Sequence, residues 1–262
     1  MKICVLVKQV PDTNEVKIDP VTGTLIREGV PSILNPDDAN ALEEALAIKD
    51  QNPGTVVDVV SMGPPQANYM LRECLALGAD NAYLLSSRTF GGADTCATST
   101  TLAAGVRKIG TYDIIFAGRQ AIDGDTAQVG PQTAQRLGMP SVSYVQKVRE
   151  IKDKTVVVER ALEDGFEIVE VQKPCILTAI KELNEPRYMT VRQIEEAYKK
   201  DIIIWDENDL GVDPKTVGLI ASPTQVLKSF TPPPKGAGEM LSGTPSEMAA
   251  SLVTKLTEKH VL

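Results

Sequence analysis

The chain has 262 residues, 42% of them hydrophobic, and a formal net charge of -8, enough to bury one full α/β core with an appendage. The acidic balance, the lack of a basic stripe and the 4% aromatic content argue against a nucleic-acid partner, and no run of about 18 or more apolar residues is present to insert into a membrane. The chain enters a strand at once with Lys2-Ile3-Cys4-Val5-Leu6-Val7 and its four cysteines, Cys4, Cys74, Cys96 and Cys175, form no C-x-x-C pair. We therefore expect no leader segment, reduced cysteines and a cytoplasmic setting. In chain order, the apolar run at 3–7 predicts a first strand, and Asp19-Pro20-Val21-Thr22-Gly23 a hairpin turn. Asn35-Pro36-Asp37-Asp38 then reads as a helix start, with Asn35 as N-cap, Pro36 as first helical residue and two first-turn anions. That helix places Leu42, Ala45, Leu46 and Lys49 on one face.

Residues 55–62 predict the second strand, 68–77 a helix closed by Gly78, 82–85 a strand, 94–109 a helix and 112–116 a further strand. Strands alternating with helices demand a mostly parallel, doubly wound sheet with right-handed crossovers. Its ligand belongs beyond the carboxyl ends of the strands, where Lys8, Met62-Gly63 and Gly118-Arg119 are expected to converge. After Pro140, residues 142–148, 155–160 and 166–171 alternate around two polar turns and predict a β meander over about 141–180, and 175–180 reads as one more buried strand. From Asp206 the period is lost through Pro232-Pro233-Pro234, and a helix resumes only near 246–259. Such an arm is either a loose terminus or a segment laid on a partner.

The stretch that joins the strand at 112–116 to the next helix carries the most chemistry. Thr126 stands where a helix N-cap would, so the N–H groups of Ala127, Gln128 and Val129 are expected to face a phosphate above the helix start. Asp123 and Asp125 oppose a dianion unless they turn to ribose hydroxyls, backbone amides or Arg119, and the same residues also suit an ordinary strand-to-helix turn. A single histidine, His260, leaves no Ser-His-Asp or Cys-His pair and no histidine metal site. Neither the P-loop pattern nor the Rossmann glycine pattern occurs. No catalytic side chain and no metal ligand are therefore assigned; the expectation is a binder of a nucleotide cofactor. An adenylating or ATP-hydrolysing enzyme of similar fold would lack its glycine-rich loop here.

Two segments resemble the β subunit of electron-transfer flavoproteins. The first is Ala117-Gly118-Arg119-Gln120-Ala121-Ile122-Asp123-Gly124-Asp125; the second is Leu183-Asn184-Glu185-Pro186-Arg187-Tyr188-Met189-Thr190-Val191, with Asp209-Leu210-Gly211-Val212-Asp213 following. The similarity extends over essentially the whole chain. It implies an adenine nucleotide α-hydrolase-like fold and a pocket made by Leu6, by Asn35, Pro36, Asp37 and Asp38, by Met62 and by Gly118 to Val129, namely Arg119, Gln120, Ala121, Ile122, Asp123, Gly124, Asp125, Thr126, Ala127 and Gln128 between them. Many members hold AMP there. The text from Arg119 to Pro131, with small residues at Gly124 and Ala127, resembles instead the subgroup that binds a second FAD and bifurcates electrons from NADH. One electron would go to ferredoxin or flavodoxin. The other would pass through the FAD of a partner α subunit to an acyl-CoA dehydrogenase or enoyl-CoA reductase.

Read from its residues alone, the 183–191 segment is a packed loop leading into a helix over 191–199. The resemblance implies instead a recognition loop docking on the dehydrogenase, with Val191 as the apolar anchor. Residues 1–205 would then form the nucleotide-binding domain and 206–262 an arm and helix packing on the α subunit.

Overall fold

The predicted apolar runs pair side by side in the computed structural model, which describes residues 1–12, 31–227, 236 and 238–262. The expected hairpin at 19–23 and the prolines at 232–234 lie outside the described residues. The strands are β1 (Lys2–Leu6), β2 (Gln9–Pro11), β3 (Ser32–Leu34), β4 (Val56–Met62), β5 (Asn81–Leu85), β6 (Ile114–Gly118), β7 (Ser141–Ile151), β8 (Thr155–Leu162), β9 (Gly165–Gln172), β10 (Cys175–Ala179) and β11 (Ile202–Trp205). The helices are α1 (Pro36–Gln51), α2 (Ala67–Leu77), α3 (Thr95–Ile109), α4 (Val129–Leu137), α5 (Val191–Ala197), α6 (Glu207–Leu210) and α7 (Pro245–Glu258).

One nine-stranded sheet runs in the order β11-β5-β4-β1-β6-β10-β7-β8-β9. From β11 to β7 the pairing is parallel, and β7, β8 and β9 continue it as the antiparallel meander. The central strands are buried on both faces, which is why they read as continuous apolar runs rather than alternating ones. On one face Ile3, Val5, Val59, Phe116 and Leu177 meet α1, α2 and α5. On the other, Cys4, Leu6, Val60, Ile115 and Ile176 meet α3 and α4. The cysteines are free, and burial pushes the Cys175 thiol up to about 12, so it packs as an inert apolar group. Among the described residues no helix is long and apolar enough to cross a membrane.

Several boundaries differ from the sequence expectation: β1 ends at Leu6 rather than at 7, β7 runs on to Ile151 rather than stopping at 148, and α5 ends at Ala197 rather than at 199. β6 begins at Ile114 and runs on to Gly118, because Tyr112 turns its hydroxyl to the buried Asp58, 2.7 Å away, instead of joining the ladder. β11 has no counterpart in the sequence reading. Its four residues Ile202-Ile203-Ile204-Trp205 form a parallel edge strand on β5, with Ile203 and Ile204 left exposed. The segment after Asp206 is partly held against the body: Val217 is buried, and Ser222 Oγ accepts the Asp94 N–H at 2.9 Å. By contrast α7, capped by Thr244, buries none of its side chains.

Asp94 joins these parts. Its carboxylate caps α3 through the Ala97 N–H at 2.9 Å and accepts the Thr224 N–H at 3.0 Å. Asp94→Ala should cost about 1–2 kcal/mol and speed hydrogen exchange at both the α3 start and residues 222–224. Unchanged exchange at 222–224 would show that the carboxylate does not hold that segment.

Candidate functional site

The order of strand addition reverses at β1, since α1 leads outward to β4 on one side and β6 lies on the other. Crevices at such a switch point open beyond the carboxyl ends of the strands. Here the loop after β1, the start of α1 and the loop after β6 meet.

Asp38 holds them together. It sits in the first turn of α1 with 7% exposure. One carboxylate oxygen accepts the Lys8 N–H at 2.8 Å and the other the Gly118 N–H at 2.9 Å. Burial pushes the Asp38 carboxyl up to about 7, against the lowering effect of the Asn35 side chain and these two N–H donors. Gly118 makes the approach possible: a Cβ there would come within 2.8 Å of the Asp37 carbonyl carbon and the Asp38 nitrogen. Asn35 stands at the N-cap position with no side-chain cap. Its amide instead reaches across the crevice, donating to the Gln120 carbonyl at 2.9 Å and accepting the Ile122 N–H at 3.1 Å. A capping role for that side chain is corrected to a clamp on the 120s loop, for which full burial is the physical reason.

Each acidic side chain of the crevice has a protein partner. Lys8 Nζ lies 2.6 Å from Asp123, and Arg119 Nε lies 3.4 Å from Asp37. Burial raises the Asp37 carboxyl above its ordinary range, and the Arg119 charge opposes that rise. Gln120 donates to Asp125. Asp125 and Ala127 adopt left-handed φ values of 55° and 52°.

The left-handed Ala127 decides where the next helix starts. α4 begins at Val129 with Gln128 at its N-cap, not at Thr126, because a residue at positive φ cannot enter a right-handed helix. Thr126 is exposed, and Gln128 accepts from the Thr95 hydroxyl at 2.7 Å, tying the N-termini of α3 and α4 together. Leu6 is buried at the carboxyl end of β1, opposite Ala117 of β6, and Met62 ends the neighbouring β4, so both stand at the strand ends beside this cluster. Ile122 and Gly124 line the open side, with nothing within 4 Å of the Gly124 Cβ position.

The 183–191 segment runs along the flank of α1, away from the crevice. Asn40 Nδ2 donates to the Asn184 carbonyl at 2.7 Å, and Asn184 Nδ2 returns a bond to the Asn40 carbonyl at 3.1 Å. Arg187 forks onto Glu43 at 2.8 and 3.0 Å and reaches Asp50 at 2.9 Å. Leu183 and Met189 pack against the core, Glu185 and Pro186 are exposed, and Thr190 caps α5 in a capping box with Gln193. Tyr188 and Val191 are then presented at 96% and 85% exposure. Arg187→Ala should speed amide exchange over 184–190 at least several-fold while lowering stability by only about 1 kcal/mol. Wild-type exchange rates in that variant would mean that the fork does not hold the loop.

Sequence reasoning missed Asn40, Glu43 and Asp50, which carry no motif and matter only through what α1 faces. It also missed Tyr144, whose ring lies 5.7 Å from the Arg119 guanidinium; inside a strand pattern nothing marks such a residue.

Comparison with known proteins gives one consistent set of matches. Residues 22–210 match the Electron transfer flavoprotein domain. The chain is 66% identical to the caffeyl-CoA reductase-Etf complex subunit CarD of Acetobacterium woodii, covering all of both chains. It is 59% identical to the electron transfer flavoprotein subunit beta of Clostridium acetobutylicum, again over the whole of both. It is 49% identical to the acryloyl-CoA reductase electron transfer subunit gamma of Anaerotignum propionicum, also over both full lengths.

Proposed function

The chain belongs to the electron transfer flavoprotein family as a β subunit, and from that premise we propose that its crevice holds FAD and takes electrons from NADH. The electrons divide between ferredoxin or flavodoxin and, through the FAD of a partner α subunit, an acyl-CoA dehydrogenase or enoyl-CoA reductase in the cytoplasm. Two relatives are named for reductases of caffeyl-CoA and acryloyl-CoA, both unsaturated acyl thioesters, which supports the enoyl-CoA class of acceptor.

The observation that carries the nucleotide reading is the pairing of the acidic groups. Unpaired, four aspartates would repel a diphosphate; here Asp38 takes two backbone N–H groups, Asp123 takes Lys8, Asp37 faces Arg119 and Asp125 takes Gln120. The crevice keeps the features an anion needs: the start of α4, which has no side-chain cap and offers the Val129 and Gly130 N–H groups, two cations at the rim, and glycines where a Cβ would intrude. A Cβ on Gly130 would come within 2.7 Å of the Thr178 methyl, so α4 lies as close to the sheet as its backbone allows. At Gly124 no atom lies within 4 Å of a Cβ position, so no side chain closes that edge of the loop.

Hydride acceptance and one-electron transfer are chemistry that the flavin supplies when bound. The chain's own residues bind and orient: Asn35 and Asp38 lock the two loops, Arg119 and Lys8 set the potential of the rim, and Tyr188 and Val191 offer the surface for the dehydrogenase. The arm from 206 and helix α7 pack on the α subunit, which accounts for a capped helix with no buried face.

With the α subunit, the reductase and ferredoxin present under anaerobic conditions, NADH should reduce ferredoxin only while an enoyl-CoA substrate is being reduced. Reduction of the enoyl-CoA with ferredoxin left fully oxidised would overturn the bifurcating reading and leave a simple carrier.

A further inference from the structure

Tyr144 lies within β7, yet its backbone is left-handed, with φ of 60°, a conformation that a bulky aromatic residue adopts only under strain. The strain falls where the pairing of β7 with β10 shifts register between Leu177 and Ala179. The Tyr144 N–H donates to Thr178 Oγ1 at 3.2 Å and pins the extra residue. Thr178 is itself buried and is the residue against which Gly130 of α4 packs. A bulge of this kind re-aims a side chain. Here it carries the ring over the Arg119 guanidinium, 5.7 Å from the ring centroid. Burial does not account for the strain, since the tyrosine keeps 38% exposure. One line of contacts thus runs from α4 through Thr178, Tyr144, Arg119 and Asp37 to the start of α1.

The two rim cations are held in different ways. Lys8 is engaged by Asp123 at 2.6 Å. Arg119 faces Asp37 at 3.4 Å without hydrogen-bond geometry at Nε, and a π-face steadies a guanidinium without occupying its N–H donors. We propose that Tyr144 is a positioning residue that holds Arg119 for the second phosphate of a diphosphate ligand, so that the crevice favours diphosphate-bearing nucleotides over a nucleoside monophosphate. The proposal rests on the nucleotide reading of the crevice, but not on which nucleotide occupies it in the cell.

The test uses the assembled pair with its α subunit, stripped of crevice nucleotide, and measures ADP and AMP binding by calorimetry for wild type, Tyr144→Gly and Tyr144→Phe. Glycine suits the left-handed backbone, so Tyr144→Gly should unfold no earlier than wild type. It should bind ADP about tenfold more weakly while AMP affinity stays within about twofold, and Tyr144→Phe, which keeps the ring face, should bind ADP as wild type does. Unchanged ADP affinity in Tyr144→Gly, or an equal loss for ADP and AMP, overturns the role of Tyr144 alone. Binding of neither nucleotide by the wild-type pair overturns the nucleotide reading with it.

Discussion

Asp38→Ala is expected to destabilise the folded chain by roughly 2–5 kcal/mol, because it leaves two inward-facing backbone donors, the Lys8 and Gly118 N–H groups, without acceptors. The same change frees the loop after β1 from the loop after β6, so nucleotide binding in the crevice should be lost. The pH dependence separates this account from simple truncation. With its carboxyl pushed up to about 7 in the folded chain and an ordinary value near 3.9 when unfolded, the folded state holds more protons between those limits. Stability contributed at this position is therefore fully present below about pH 4 and falls as pH rises through about 7. Asp38→Asn cannot ionise and turns an NH2 toward one of the donors. Its penalty should be largest at about pH 4 and below, about 1–3 kcal/mol, and shrink toward pH 8. Urea unfolding at the two pH values checks this, and a penalty that grows with pH would contradict it.

Gly118→Ala should be almost as damaging, by a steric route. The added methyl would stand 2.8 Å from backbone atoms of Asp37 and Asp38, and it would also meet the Asp38 carboxylate. Backbone in the first turn of a packed helix cannot yield as a flexible side chain does, so α1 must shift. We expect a loss of about 2–3 kcal/mol and at least tenfold weaker nucleotide binding, with the Asn184 and Arg187 contacts on the α1 flank loosened as well. Wild-type stability and binding in this variant would show that the loop after β6 does not approach α1 as described.

The parallel core was legible because burial on both faces writes each strand as an unbroken apolar run, as in Ile114-Ile115-Phe116 and Cys175-Ile176-Leu177. The start of α1 was legible because Pro36 has one use at a helix start. The partner of the Asn35 amide was not, since a 120s loop brought in by β6 lies 85 residues away. The start of α4 was misplaced for a local reason of the same kind: nothing in an Ala-Gln-Val sequence reports that Ala127 is held left-handed. β11 was missed because four apolar residues are too few to separate from a helix end without knowing that β5 offers them an edge. For the site, residue types pointed to loops that do meet at the start of α1, while the pairing of their carboxylates existed only in three dimensions.

The central claim is that this crevice holds FAD, and the most direct measurement is the FAD and AMP released per heterodimer when the chain is co-expressed with its α subunit, purified and denatured. Two FAD and no AMP is the result predicted here; one FAD with one AMP would contradict it.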